Sequence, residues 1–287
     1  MESKTTEIDH GLILTPIVEE DHYVLGGYTG FLGKQILMPT GHGWGAYKPK
    51  AELQNKNGFE TMNCTNYGTN NCYETLAQLK GFTDFPKDCS ERYSGVHTHT
   101  TPFGNDPHMV AEIIRKECGF VPEVDLPFTD DIATWNDYYT VMSAIWLLPF
   151  GKAILKRFLP GHEWVFNTRE WSTTKLAKLK EALKYGPVAV SVHAWKDRNG
   201  FFFKEDADSD NHWLQLLDFE EGKYWFVFDH YDQVEKKLEW HYNFFAAKVY
   251  YLDRVAEQAP KSWWDKIVDA FAERGLFKGL GFDPLPV

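Results

Sequence analysis

The chain has 287 residues, 43% of them apolar and 16% aromatic, enough for a substantial core in one large domain. Its net charge of −11, with no basic stripe, disfavours nucleic-acid binding. The longest apolar run, residues 141–150, is too short to cross a bilayer and is broken by Pro149, so no membrane span is expected.

Residues 1–9 are polar and charged and lack a secretory signal pattern, which makes a cytoplasmic or virion-associated location the expectation. Residues 1–50 read as an N-terminal extension packed on the domain, with short strands at 23–25 and 34–38. The main domain is expected over 51–254, with 129–185 rich in insertions and 255–287 as a tail. Residues 64–80 read as a helix, with Tyr67, Asn71, Glu74, Leu76 and Leu79 along a partly buried stripe. Gly68 and three asparagines lower its propensity, so tertiary packing must hold it. A second helix is predicted over 106–116, with Val110, Ile113 and Ile114 as its apolar side and Gly119 as its C-terminal cap. Residues 129–171 read as irregular and aromatic. Thr173 or Thr174 can cap a third helix, which runs to Lys184 and stops before Gly186-Pro187.

From there the pattern turns to strands: 188–192, 213–219, 224–228 after the turn Glu220-Glu221-Gly222-Lys223, and 248–252. Helices first and strands last predict an α+β fold of two lobes. Residues 258–278 form an amphipathic stretch, with Trp264, Val268 and Phe271 on one side. It suits core or subunit packing and is a candidate contact for a protein partner.

Cys64 stands at the predicted start of a helix. His212 follows 148 residues later, and Asp229 comes 17 after that. The thiolate, not the thiol, is the nucleophile, and a helix N-terminus and a neighbouring imidazolium both favour it. The imidazole then needs an acceptor to hold its ring, and Asp229 is suitably placed. The Gln54 amide and the Cys64 N–H are candidate donors to a developing oxyanion. Cys64, Cys72, Cys89 and Cys118 read as reduced thiols, one of them reactive, with Cys72 the rival to Cys64. His193 and His230 are the alternatives to His212. His97 and His99 read as a solvated loop, since no third metal ligand lies nearby. No metal or organic cofactor is expected.

Together these pieces resemble the papain-like cysteine proteases. Cys64-Thr-Asn-Tyr-Gly-Thr-Asn-Asn-Cys-Tyr-Glu74 resembles the family's Cys-Trp-Ala-Phe-Ser-x-x-x-x-x-Glu, with an aromatic residue at +3 and Glu at +10. Ser90-Glu91-Arg92 resembles its Leu-Ser-Glu-Gln. Residues 119–128 resemble its Gly-(Ile/Leu)-x-x-Glu-x-x-Tyr-Pro-Tyr, and 186–190 its Gly-Pro-Val-x-Val. Asn211-His212-Trp213 resembles (Asn/Asp)-His-Ala, and Tyr224-Trp-Phe-Val-Phe-Asp229-His-Tyr231 resembles Tyr-Trp-x-Val-Lys-Asn-Ser-Trp.

The resemblance covers about 54–252, and its departures lean toward divergent bacterial or phage members. It implies a two-lobed peptidase with Cys64 as nucleophile, His212 as base and acid, Asp229 as orienting group and Gln54 as oxyanion donor. It also implies Gly104 and Asn105 as a wall that pairs with substrate backbone. Tyr231 would stand where the family has a shielding tryptophan. The substrate would be a polypeptide. Gln54 lies ten residues before Cys64, where the family has six, and Asp replaces Asn at 229. Two other readings compete: a cell-wall amidase of the phage-lysin kind, and a non-catalytic structural or virion component that keeps the fold.

Overall fold

A computed structural model describes residues 11–15, 35–39, 43–139, 141–231 and 234–255. The predicted strand at 23–25 and the amphipathic stretch 258–278 lie outside these residues. The chain divides into units of residues 1–254 and 255–287, and the elements below all belong to the first. Residues 35–38 are not a strand; the Leu37 and Met38 N–H groups both donate to the Lys184 carbonyl.

The first half is helical. A small hairpin of β1 (Asn55–Lys56) and β2 (Phe59–Glu60) turns through Asn57 and Gly58, both at positive φ. It leads into α1 (Cys64–Leu79), where fourteen of sixteen residues are buried, and that burial is what overrides the weak propensity. Polar side chains at its start make tertiary bonds. Asn66 donates to Asn63 and Thr100, and Asn63 donates to the Glu91 carbonyl and the Tyr138 hydroxyl. Two short helices follow, α2 (Glu91–His97), capped by Ser90, and α3 (Pro107–Ile113), capped by Asp106. A π-turn, Ile114–Cys118, ends at Gly119 with φ +68, where a residue without a Cβ is favoured.

Residues 129–171 are more regular than expected. They hold α4 (Trp135–Tyr138), α5 (Val141–Leu155) and the strand β3 (Phe158–Asn167). α5 tolerates Pro149 on its exposed side and packs its other side closely: a Cβ on Gly151 would lie 2.0 Å from the Cys118 carbonyl oxygen. β3 is an edge strand paired only with the last strand, which leaves room for Pro160. α6 (Thr173–Leu183) follows, capped by Ser172, one residue before the expected cap.

The remaining strands are β4 (Val188–Val192), β5 (Lys196–Arg198), β6 (Phe201–Phe203), β7 (His212–Glu220), β8 (Tyr224–Phe228), β9 (Glu235–Glu239) and β10 (Ala246–Arg254). With β3 they form an eight-stranded sheet in the order β3-β10-β4-β7-β8-β9-β6-β5. Pairing is antiparallel except between β6 and β9. α1 lies against β7 and β10. Gly68 makes this approach possible, since a Cβ there would come within 2.8 Å of the Trp213 ring and 3.3 Å of Leu214 Cα. Trp164, Trp213 and Tyr250 are fully buried around this seam.

Candidate active site

Cys64 is the first residue of α1 and is buried. Gly68 is one turn further on the same side of the helix. That side meets Trp213 and Leu214, the residues just after His212, so the helix start is brought to the head of β7.

His212 is also buried, and its Nε2 lies 2.6 Å from Asp229 Oδ1. Asp229 follows the end of β8, and register between β7 and β8 brings the two together. Burial alone would raise the Asp229 carboxyl. His212 and the Lys236 ammonium, 2.5 Å from Oδ2, override burial and hold it well below the usual carboxylate range. Lys236 lies on β9, almost fully buried, with its charge 4.8 Å from the Trp195 ring centre. Sequence reading missed it, because nothing local distinguishes it from the neighbouring Lys237, which faces solvent. The one available signal was strand alternation from Asp229 across a turn.

His230, the alternative base, serves another purpose. Its Nε2 bonds to the Trp213 carbonyl at 3.2 Å and its Nδ1 lies 3.5 Å from the Asn71 amide. Burial lowers its pKa to about 3, which keeps it neutral. His193 bonds to the Ser209 carbonyl at the end of β4. The rival thiol, Cys72, is buried, and both burial and Glu74 push its pKa well up, so it stays a thiol. No disulfide joins the four cysteines. His97 bonds to the Ala144 carbonyl at 3.1 Å. Neither His97 nor His99 belongs to a group able to converge on a cation among the described residues. The groups that do are His212, Asp229 and His230, with Nε2 of each imidazole already engaged, and the acidic cluster Glu52, Glu91 and Glu123.

Gln54 is fully buried, and its backbone N–H donates to the His230 carbonyl. Its side-chain amide is engaged at both N–H positions. Nε2 lies 2.6 Å from Glu60 Oε1 and 3.0 Å from the Tyr231 hydroxyl. Tyr231 donates to Glu60 Oε2 at 2.7 Å, and the Met62 N–H donates to Oε1 at 3.0 Å. The Tyr231 ring lies 5.1 Å from that of His212. Burial and the Glu60 carboxyl push the Tyr231 phenol far up, so it remains a donor. A Glu60 carboxyl group therefore sits on the expected oxyanion donor. Sequence reading missed Glu60 because the β1–β2 hairpin that delivers it was not anticipated.

Gly104 and Asn105 do not meet open space. The Asn105 N–H donates to the Gly11 carbonyl at 2.9 Å, and the Ile13 N–H donates to the Asn105 carbonyl at 2.9 Å. A Cβ on Gly104 would lie 1.7 Å from the Gly11 oxygen. The Leu12 N–H donates to the Asn211 carbonyl at 3.2 Å. Gly11 also rests against Met62, since a Cβ on it would lie 2.3 Å from the Met62 oxygen. Residues 11–13 thus cross between Met62, two residues before Cys64, and Asn211, one before His212.

The fold is that of the papain-like cysteine proteases, with N-terminal helices, a C-terminal sheet and α1 lodged against it. A digestive procathepsin L2 from Tenebrio molitor larval midgut superposes with a TM-score of 0.55 at 13% identity, covering 84% of this chain and 77% of that one. The proform of the ragweed pollen cysteine protease Amb a 11 superposes with a TM-score of 0.50 at 12% identity, covering 81% and 71%. No protein-family model matches the chain. No curated protein matches it either.

Proposed function

We propose that this chain is a cysteine peptidase acting through Cys64, His212 and Asp229. The observation that carries the reading is the buried His212–Asp229–Lys236 array at the end of the helix-to-sheet seam that begins with Cys64. Asp229 engages Nε2 of the imidazole, so exchange of a proton with the thiol falls to Nδ1. Cys64 sulfur attacks the scissile carbonyl while Nδ1 takes its proton. The tetrahedral oxyanion is held by the Cys64 N–H and the Gln54 amide. His212 returns the proton to the leaving amine, and water clears the thioester by the reverse sequence.

The described form is a closed one on this reading. Two changes precede turnover: residues 11–13 leave the Asn105 wall, and the Gln54 amide exchanges the Glu60 carboxyl for the oxyanion. The polypeptide substrate would then take the strand-like bonds that Gly11 and Ile13 make now.

The test is labelling with an epoxide-type thiol inhibitor, alongside hydrolysis of an unfolded protein substrate. Labelling at Cys64, lost in Cys64→Ala and slowed in His212→Ala, supports the reading. Labelling at another cysteine overturns it. The engaged Gln54 amide favours a second reading, a non-catalytic component that retains the fold. No labelling of folded protein, with or without residues 1–15, would select it.

A further inference from the structure

Four of the twelve exposed large apolar side chains among the described residues lie on α5, which contributes nothing to the site above. Met142 is 65% exposed, Ile145 49%, Trp146 74% and Phe150 64%. With exposed Pro149 they recur at intervals of three and four residues, so they share one side of the helix. The opposite side is committed: Ala144 and Ile154 are buried, and Gly151 is tight against the π-turn. The helix therefore cannot roll over to hide its apolar side.

Charge says what covers it. Residues 138–162 carry Lys152, Lys156 and Arg157 and no acidic residue, in a chain of net charge −11. Arg157 is held by Asp84, whereas Lys152 and Lys156 are exposed at the flank of the apolar side. The π-turn beneath, with Glu112 just before it, sets Arg115 and Lys116 against Glu112 and Glu117 and adds no net charge. An anionic surface would repel most of this molecule and admit this side of it. A tryptophan and aliphatic side chains flanked by lysines is the pattern of a helix lying in the headgroup layer of a bilayer. By length and composition alone the stretch Trp135–Leu155 could cross a bilayer, contrary to the expectation of no span, but Ala144, Gly151 and Ile154 pack one side of α5 on the protein, which suits the helix to lie along a membrane surface.

We propose that α5 docks the protein on an anionic lipid surface, with Met142, Ile145, Trp146 and Phe150 in the interfacial layer and Lys152 and Lys156 at the headgroups. The full chain is to be sedimented with phosphatidylcholine vesicles and with phosphatidylcholine–phosphatidylglycerol vesicles. The expected result is binding to the mixed vesicles. Trp146→Ser with Phe150→Ser should weaken it at least about tenfold. Lys152→Gln with Lys156→Gln should remove about fivefold per lysine and erase the preference for anionic lipid. All four side chains are exposed, so circular dichroism and the thermal midpoint should stay unchanged in these variants. Wild-type protein that remains in solution with both vesicles overturns the proposal. So does binding that the α5 variants leave intact, which would place the contact elsewhere in the chain. A dimer in sedimentation velocity that Trp146→Ser abolishes, without vesicle binding, would assign the same surface to self-association and also overturn it.

Discussion

Asp229 accepts from His212 on one oxygen and from Lys236 on the other, and the pair of opposite charges approximates the neutral amide that the resemblance expects at this position. Lys236 balances the charge of the carboxylate that replaces that amide. Lys236→Met should cost about 3 kcal/mol in urea unfolding, because it strands a buried charge. Adding Asp229→Asn to that variant should recover most of the loss, and a non-recovering double variant would show that Lys236 acts through packing instead. Glu60 has the opposite character. It occupies the Gln54 amide, and a donor of this kind is worth about 100-fold or more to an oxyanion when available. Glu60→Ala should therefore speed inhibitor labelling at Cys64. If it slows labelling as Gln54→Ala does, Glu60 is a support for the amide and not a block. The proximity of His212 and Asp229 was legible because a strand, a short turn and a returning strand leave few other placements. Glu60 and Lys236 were not legible, since each reaches the site by a register that only the folded hairpin or sheet defines.

At the scale of elements, α1 carries a local contradiction. A glycine inside a helix ordinarily costs about 1 kcal/mol against alanine. Gly68→Ala should nonetheless destabilise the protein by about 1–3 kcal/mol, because the new methyl meets Trp213 and the β7 backbone. A rise in the thermal midpoint would contradict that packing. The strap of residues 11–15 is hydrogen-bonded at Gly11, Leu12, Ile13 and Thr15, the last through both its N–H and its hydroxyl to Asp106. Removing residues 1–15 should expose Cys64 and raise its labelling rate, at a cost in stability of about 2–4 kcal/mol as Leu12 leaves the core. The strap's position could not be read from sequence. Gly11 and Leu12 carry no motif, and their partners, Asn105 and Asn211, are far away in the chain. The α5 region was misread because its side chains are apolar all along, which blurs a helical period until one side is known to be exposed.

The whole molecule carries several carboxyl groups whose burial raises them: Glu52, Glu74, Glu91 and Glu123. Glu123 is raised to about 8 against an ordinary 4.5, first by burial and then by Glu52. The unfolded chain releases its proton above about 4.5 while the folded chain keeps it until about 8. Stability is thus fully present in acid and lost as pH rises through that window. The urea midpoint should fall between pH 5 and pH 8, by the order of a few kcal/mol in free energy. Glu123→Gln should flatten the fall, and an unchanged slope would exclude Glu123 as its source. The α+β class was legible in the order of helical and alternating segments, since that order survives errors at every boundary. The eight-stranded order was not, because β3 pairs with β10 across some eighty intervening residues.

The β1–β2 hairpin closes on itself, with Asn55 opposite Glu60 and Lys56 opposite Phe59. Residues added to a self-closing loop need not push its two anchors apart. The longer interval from glutamine to cysteine is therefore no measure of their separation in space, and a search keyed to a fixed count of residues would pass over chains built this way.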